Sequence, residues 1–357
     1  MFMNEFNIGD VKIGTTSPAY FIAEIGSNFD GDLSRAKDLI YKAKEAGAHA
    51  AKFQHYTADT LVSDFGFKAL GDQLGHQKKW VGSVFDTYKR ASLDKDWTAE
   101  LAETCDKAGI HFMTSPYSIE LVDYVNKYVP AFKIGSGDIT WPDIIDAIAR
   151  KGKPVLLATG ASTLNEVVWA MKTIQKSNGR VVLMQCNTNY IADVGNFTYQ
   201  NIRVLELYKL LFPNVVLGLS DHTKGHTSIL GAYTLGARIF EKHFTDDTSR
   251  LGPDHEFATN PKEFRGMVDK TLELETLLGQ PCKDVEQNEI ETRLVQRRSI
   301  HASRDIDPGE TLLSSDFHYL RPCPPDSIPP YLAGSIVGKK SKVTLVKGQT
   351  IKLSDIE

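Results

Sequence analysis

Residues 215–244, VVLGLSDHTKGHTSILGAYTLGARIFEKHF, contain the pattern that decides the fold. VVLGLS (215–220) and RIFEKHF (238–244) are short, mostly apolar runs of the kind found in strands buried on both faces of a sheet. An amphipathic stretch separates them, as expected when a crossover helix follows a parallel strand. The run therefore predicts a strand–helix–strand unit of a parallel β-sheet.

The same alternation extends back along the chain to Tyr20 and gives eight strand–helix units in all. The six other strand-like runs are YFIAEI (20–25), AAKFQ (50–54), IHFMTS (110–115), AFKIGS (131–136), PVLLAT (154–159) and VVLMQCN (181–187). Eight such units over about 250 residues match the (β/α)8 TIM barrel, whose functional residues lie at the C-terminal ends of the strands. The alternative is a doubly wound sheet, but no glycine-rich GxGxxG turn follows the first run.

The chain is longer than an ordinary single domain, and its composition changes towards the C-terminus. We predict a barrel domain at residues 1–279, a polar linker at 280–296 and a small β-rich domain at 297–357, where short alternating runs are separated by turn signals. Within the barrel domain, residues 57–92 are too polar and irregular for a further barrel unit. We interpret this insertion as a lid over the site.

Composition argues against several classes of protein. The formal net charge of −4 provides no broad basic surface, so nucleic acid is not expected as a partner. The stretch MFMNEFNIGDVKIG has neither a basic start nor a long apolar run, so we expect no signal peptide, no membrane partner and a cytoplasmic location. The cysteines form no CxxC pair and are interpreted as reduced thiols; they are Cys105, Cys186, Cys282 and Cys323.

Polar residues interrupt the apolar runs near their C-terminal ends, and a barrel would bring them to one mouth. A single residue of this kind is often a strand end that faces water, but so many ionisable groups in buried stretches indicate a shared site. The set comprises Glu24, Lys52, Gln54, Ser115, Lys133, Ser136, Asp138, Thr188, Tyr190, Ser220, Asp221, His222, Glu241, Lys242 and His243.

Two lysines of this set, Lys52 and Lys133, lie inside apolar runs, where an unpaired ammonium group is costly. Each therefore needs an anionic partner, which a phosphorylated or carboxylated substrate would supply. Hydroxyl groups and the backbone amides of the GSG turn at 135–137 would complete a phosphate-binding site. The candidate hydroxyls are those of Ser115, Ser136, Thr188 and Ser220.

Two histidines, His222 and His243, end consecutive strands within the polar clusters SDHT and EKHFT. A lone histidine is more often a hydrogen-bonded structural residue, but two that end adjacent strands can share one metal ion. Imidazole ligands without fixed carboxylates suit manganese, iron, cobalt or zinc better than magnesium.

With these motifs identified, the chain closely resembles the bacterial sialic acid synthases, which include N-acetylneuraminate, legionaminate and pseudaminate synthases. The C-terminal residues resemble the antifreeze-like (SAF) domain of that family, with Arg321-Pro322 at the position of its RP motif. The motifs that carry the resemblance are AEIGSN (23–28), the AKFQ run, FKIGSGD (132–138), ATG (158–160), GLSDHT (218–223), EKHFT (241–245) and GPD (252–254).

The resemblance implies a reaction in which phosphoenolpyruvate condenses with an amino-sugar aldehyde to give a nine-carbon 2-keto acid and phosphate. It implies a manganese-type ion on His222 and His243, and Lys52 on the phosphoenolpyruvate carboxylate. The other residues that it implies are Lys133, Ser115, Ser136, Thr188 and Ser220 for the phosphate, and Glu24, Gln54, Asp138, Tyr190 and Asp254 for the sugar. Arg321 would reach the N-acyl group from the partner subunit of a domain-swapped homodimer.

The sequence and the resemblance leave alternatives for the base, the acceptor and the activity. The hydroxyl group that adds to C2 would come either from a water activated by Glu24 or from a water bound to the metal ion. Ala158 and Asp138 differ from the residues found at these positions in the neuraminate enzymes. The acceptor is N-acetylmannosamine, a dideoxy diacetamido hexose or a 6-phosphorylated sugar. The alternatives to this activity are a synthase for a shorter keto-sugar acid, which the Arg321 domain argues against, a non-catalytic carbohydrate-binding protein, and a lyase with a Schiff-base lysine.

Overall fold

Eight parallel strands close into a barrel in residues Met1–Gly279 of the computed structural model, which describes residues 1–71, 73–80, 82–190 and 194–357. The strands of this unit are β1 (Glu5–Ile8), β2 (Val11–Gly14), β3 (Tyr20–Gly26), β4 (Ala50–His55), β5 (His111–Pro116), β6 (Phe132–Ile134), β7 (Val155–Ala158), β8 (Val181–Cys186), β9 (Val216–Asp221) and β10 (Ala237–His243). Strands β3 to β10 follow one another around the barrel, and β10 pairs with β3. The predicted (β/α)8 barrel is confirmed.

Helices surround the barrel and also occur in the insertion at 57–92. They are α1 (Leu33–Glu45), α2 (Ala58–Leu61), α3 (Asp64–Ala69), α4 (Val84–Ala91), α5 (Thr98–Ala108), α6 (Ile119–Val125), α7 (Pro142–Ala149), α8 (Leu164–Gln175), α9 (Val204–Leu211), α10 (Thr227–Thr234) and α11 (Pro261–Leu278). In α1, the side chain of Asp32 caps the first turn by accepting hydrogen bonds from the amides of Ser34 and Arg35. Its residues Leu39 and Ile40 are fully buried, so one apolar face packs on the barrel.

The hairpin of β1 and β2 fills the N-terminal end of the barrel, opposite the predicted site. Its apolar residues Phe6, Ile8 and Ile13 form one buried cluster with Tyr20 and Ile22 of β3. This hairpin was not predicted from the sequence. Because apolar side chains fill this end, the polar side chains of the strands are concentrated at the C-terminal end.

The insertion at 57–92 contains α2, α3 and α4, with a 3-10 helix at Gly75–Lys79. Aromatic rings connect it to the strand ends: the ring of Tyr88 lies 5.7 Å from that of Tyr56 and 5.5 Å from that of Trp80, between centroids. Its role as a lid stays a prediction, and residues 72 and 81 lie outside the described residues.

A second compact unit comprises Gln280–Glu357. It contains α12 (Ile290–Gln296) and the antiparallel strands β11 (Ser299–Ala302) and β12 (Phe317–Leu320). Helix α12 lies within the segment predicted as a linker, at residues 280–296. Its small core is built from buried aliphatic residues such as Ile300, Leu312 and Ile351. Across the part of the chain that the structure describes, no helix has the length and apolar character needed to span a membrane.

Candidate active site

The strand register brings Glu24 between two other candidate residues at the C-terminal end of the barrel. Glu24 on β3 is paired with His243 on β10 and with Lys52 on β4. Side chains alternate between the two faces of a strand, so every second residue points into the barrel. This alternation also directs Glu241, two residues before His243, into the interior.

Four buried charged groups form the centre of the site. The Nζ atom of Lys52 lies 2.5 Å from Oε2 of Glu24 and 3.5 Å from Oε1 of Glu241, and Lys133 Nζ donates to the same Glu241 oxygen at 3.2 Å. From the sequence, the substrate was expected to supply the counter-charges of both lysines, but the protein itself supplies two carboxylates. Glu241 was in the set of residues expected at the mouth but was assigned no role there; the structure makes it the shared counter-charge of both lysines.

The two carboxyl groups of this cluster have different protonation properties. Burial raises the pKa of Glu24 to about 7, although Lys52 opposes the shift. Burial acts in the same direction on Glu241, but the ammonium groups of Lys133 and Lys52 outweigh it and hold the pKa of Glu241 well below its ordinary value. Glu24 can therefore exchange a proton near neutral pH while Glu241 stays ionised.

The predicted phosphate-binding hydroxyls lie around the two lysines and the turn after β7. Ser115 accepts a hydrogen bond from Lys52 Nζ at 3.3 Å, and the Ser136 hydroxyl accepts one from the backbone amide of Gly160 at 2.9 Å. A Cβ atom on Gly160 would lie 2.3 Å from the methyl group of Thr188, so only glycine fits there. Ser220 is buried and is paired with Glu241 in the strand register.

The imidazoles of His222 and His243 meet over the mouth, with ring centroids 5.4 Å apart. Nδ1 of His222 donates to the carbonyl oxygen of Asn187 at 2.8 Å, which leaves the lone pair on Nε2. Nδ1 of His243 is buried without a hydrogen-bond partner among the described residues. Burial lowers the pKa of His243 to about 3, so this ring is neutral at neutral pH.

This pair fits a divalent metal ion, which binds the deprotonated form of both imidazoles. Within the described ranges, no group of three or more histidine, cysteine, aspartate and glutamate residues has metal-binding geometry. The remaining ligands of such an ion would have to be water or substrate oxygens. Cys186 was not predicted; although burial opposes both shifts, His222 lowers the pKa of the Cys186 thiol and Cys186 raises the pKa of the His222 imidazole.

Two predicted sugar contacts flank Glu24. Gln54 Nε2 donates to Glu24 Oε1 at 2.6 Å, and Oδ2 of Asp254 accepts hydrogen bonds from the amide and hydroxyl of Ser27 at 3.2 Å and 2.9 Å. Asp254 approaches the backbone of Gly26 closely, since a Cβ there would lie 2.7 Å from its Oδ2. The positive φ of 55° also favours glycine at this position.

The other predicted sugar contacts have different surroundings. Burial raises the pKa of Asp138 to about 6. The ring of Tyr190 lies 4.3 Å from that of His222 and 5.1 Å from that of Phe257, between centroids, and Phe257 was not predicted. Arg321 belongs to the second unit, where it is exposed, and is not part of the cluster that the barrel residues form by themselves.

Two residues of the sequence-derived set do not face the mouth. Lys242 Nζ donates to Asp221 Oδ2 at 2.6 Å, and Ser228 of helix α10 donates to the same oxygen at 2.7 Å. The prediction that Asp221 and Lys242 point into the site is therefore wrong. Alternation along β9 and β10 turns both side chains towards the helices, because their sequence neighbours His222 and His243 face inwards.

Comparison with known proteins agrees with this architecture. The model of the NeuB family matches residues 39–283, and that of the SAF domain matches residues 297–357. The chain is 33% identical to the N,N'-diacetyllegionaminic acid synthase of Legionella pneumophila over 96% of each chain. It is 31% identical to the human N-acetylneuraminate-9-phosphate synthase, over 95% of this chain and 93% of the human protein.

A solved structure also matches. The N-acetylneuraminic acid synthetase of Leptospira borgpetersenii superposes with a TM-score of 0.70 and 28% identity, over 81% of this chain and 95% of that one. The family model covers most of the barrel, and the relatives match nearly the whole length. The chain therefore belongs to the NeuB family of sialic-acid-type synthases and ends in a SAF domain.

Proposed function

We propose that this protein condenses phosphoenolpyruvate with N-acetylmannosamine, or a closely related amino-sugar aldehyde, and releases phosphate and a nine-carbon 2-keto sugar acid. The observation that carries the proposal is the buried cluster of Lys52, Lys133, Glu24 and Glu241 beside the two imidazoles. It combines cations for a small anionic substrate, a carboxyl group with a pKa near 7 and a pair of metal ligands. We place this reaction in the cytoplasm.

Phosphoenolpyruvate carries two anionic groups, and the site offers a separate lysine for each. Lys133 binds the phosphate, together with the hydroxyls of Ser115, Ser136, Thr188 and Ser220. Lys52 binds the carboxylate. Both ammonium groups are buried, so their hydrogen bonds to an anion are charge-assisted and little screened by water.

A divalent ion on His222 and His243, which we propose to be manganese, would act as a Lewis acid for the aldehyde of the acceptor. The lysines hold C3 of phosphoenolpyruvate against this aldehyde carbon, and a carbon–carbon bond forms between them. The aldehyde oxygen becomes a hydroxyl group by taking up a proton from solvent, and C2 of the former enol becomes an oxocarbenium-like centre.

Glu24 then acts as general base. It removes a proton from the water that attacks C2, and the tetrahedral intermediate expels inorganic phosphate by cleavage of the C2–O bond, which leaves the 2-keto group. One water is consumed for each phosphate released. Glu241 stays ionised between the lysines and balances their charge in the free site.

The acceptor binds between Gln54, Asp138, Tyr190 and Asp254. The similarity to a diacetyllegionaminic acid synthase favours a dideoxy diacetamido hexose as the second candidate acceptor. We further propose a domain-swapped homodimer, in which Arg321 of one subunit binds the N-acyl group in the site of the other. Its guanidinium group is a planar donor that suits a carbonyl oxygen.

The test is a panel of amino-sugar aldehydes assayed for phosphate release with phosphoenolpyruvate and manganese. The proposal expects turnover with at least one acceptor, and expects 18O placed at the enol oxygen of phosphoenolpyruvate to leave with the phosphate. Absence of phosphate release with every acceptor would contradict the proposal. Trapping of a pyruvate adduct on a lysine by borohydride would replace it with a Schiff-base lyase.

A further inference from the structure

Lys242 and Asp221 form an ion pair on the helix side of β9 and β10, and their side chains are 1% and 0% exposed. The two residues are direct partners in the strand register. Each immediately precedes one of the two histidines, His222 and His243, in the sequence. The pair therefore ties the two strand ends together one residue before the imidazoles.

The same ammonium group also stabilises the turn that contains His222. Lys242 donates a second hydrogen bond to the backbone carbonyl of Thr223, and Asp221 Oδ1 accepts from the Thr223 amide at 3.1 Å and from its hydroxyl at 3.0 Å. Strand β9 ends at Asp221, so beyond this residue these hydrogen bonds, rather than strand pairing, fix the backbone around His222. The residues on both sides of His222 are thus bound to one side chain of the neighbouring strand.

A buried ion pair is a poor source of net stability, since apolar residues of similar volume often stabilise a protein as well or better. Its hydrogen bonds are directional, however, and define the positions of the groups that they join. Lys242 does not contribute to the mouth itself, because its side chain points away from it. Its contacts are explained by a need to fix the geometry of the strand ends.

We propose that Lys242 is a positioning residue, which acts through Asp221 and Thr223 to set the separation of the two imidazoles and hence the affinity of the site for a divalent ion. The inference rests on the metal-binding role proposed above for His222 and His243. Residues that orient metal ligands from outside the first coordination sphere typically change metal affinity by about 10- to 100-fold when they are replaced.

The experiment is a titration of the metal-free, full-length protein with Mn²⁺, followed by calorimetry and by electron paramagnetic resonance. The variants are Lys242→Met and the double variant Asp221→Asn/Lys242→Met, which leaves no unpaired carboxylate in the interior and keeps an acceptor for Thr223. The matched control is Lys153→Met. Lys153 is a partly buried lysine that, like Lys242, binds backbone carbonyl oxygens, those of Asn126 and Val129, but it precedes β7 at the opposite end of the barrel.

We expect both Lys242 variants to bind Mn²⁺ about 10- to 100-fold more weakly than the wild type, with an altered resonance spectrum, while the control binds as the wild type does. Wild-type affinity in the folded double variant would overturn the inference, whatever the single variant does. An equal loss in Lys153→Met would also overturn it, because the effect would then be general destabilisation. A wild-type protein that binds no Mn²⁺ would overturn the proposed metal site together with the inference.

Discussion

Glu24 and Glu241 both lie beside the ammonium group of Lys52, with oxygens 2.5 Å and 3.5 Å from its Nζ, yet their pKa values shift in opposite directions. Both are buried, so the difference arises from the neighbours. Glu241 has a second cation in Lys133 at 3.2 Å, whereas Glu24 has Lys52 and the neutral amide of Gln54. This asymmetry gives the site one permanent anion and one group that can move a proton.

The pH dependence of the reaction follows from Glu24. The base must be ionised to accept a proton, so kcat/KM should fall as the pH drops through about 7, the pKa of this carboxyl. Glu24→Gln should reduce kcat by about 10²- to 10⁴-fold. The matched control is Glu103→Gln, since Glu103 is exposed and paired only with Lys107. If the residual rate of Glu24→Gln still declines through the same pH range, another group is the base.

Loss of either histidine should abolish turnover. Without a divalent ion, no group of comparable charge remains to stabilise the oxygen of the aldehyde as carbon–carbon bond formation proceeds. Treatment of the wild type with a chelator should also abolish turnover, and added Mn²⁺ should restore its activity. Added Mn²⁺ should not restore the activity of His222→Ala or His243→Ala. Full activity in a sample shown by elemental analysis to be free of metal would contradict this prediction.

Lys133→Ala should mainly weaken phosphoenolpyruvate binding. A hydrogen bond to a charged group contributes about 1.5–3 kcal/mol, which corresponds to an increase in KM for phosphoenolpyruvate of about 10- to 150-fold. The KM for the acceptor should change little. Initial rates measured against each substrate in turn test the assignment, and Lys153→Ala serves as a control for loss of a lysine elsewhere in the barrel. A selective effect on the acceptor would mean that Lys133 binds the sugar.

Gly160→Ala tests the proposed phosphate site at the turn after β7 without removing a polar group. The added methyl would lie 2.3 Å from Cγ2 of Thr188 and 2.9 Å from Oγ of Ser136, so both must move. Such overpacking costs about 1–3 kcal/mol, and we expect it to appear as a higher KM for phosphoenolpyruvate. Gly266→Ala in α11 is the matched control, because a Cβ there also meets no atom within 4 Å. If both substitutions raise the KM for phosphoenolpyruvate equally, the contacts with Thr188 and Ser136 are not the cause.

The barrel could be predicted from sequence because parallel strands buried on both faces require continuous apolar runs, and the eight predicted runs differ from the observed strands by no more than two residues at either end. The direction of each side chain could not be obtained in the same way. In EKH, Glu241 and His243 point inwards and Lys242 outwards, and only the strand register distinguishes them. The bond from His222 to the Asn187 carbonyl joins different loops and has no local sequence signal.

The last prediction concerns Arg321 and the quaternary structure. A small domain that follows a complete barrel needs a function, and an arginine that completes the site of a second subunit would provide one. We therefore expect the barrel truncated after Gly279 to fold but to lose most of its activity, as Arg321→Ala should. Circular dichroism and phosphate release measured on the same samples separate loss of folding from loss of the arginine.

Complementation distinguishes an arginine supplied by the partner from one supplied by the same chain. In a swapped heterodimer of His243→Ala and Arg321→Ala subunits, one site carries both defects and the other carries neither. Random exchange of equal amounts should therefore restore about one quarter of the wild-type sites. If Arg321 instead serves the barrel of its own chain, every site in the mixture has one defect, and activity stays absent. Native mass spectrometry establishes that the subunits have exchanged, so a mixture that exchanges and stays inactive refutes the swapped site.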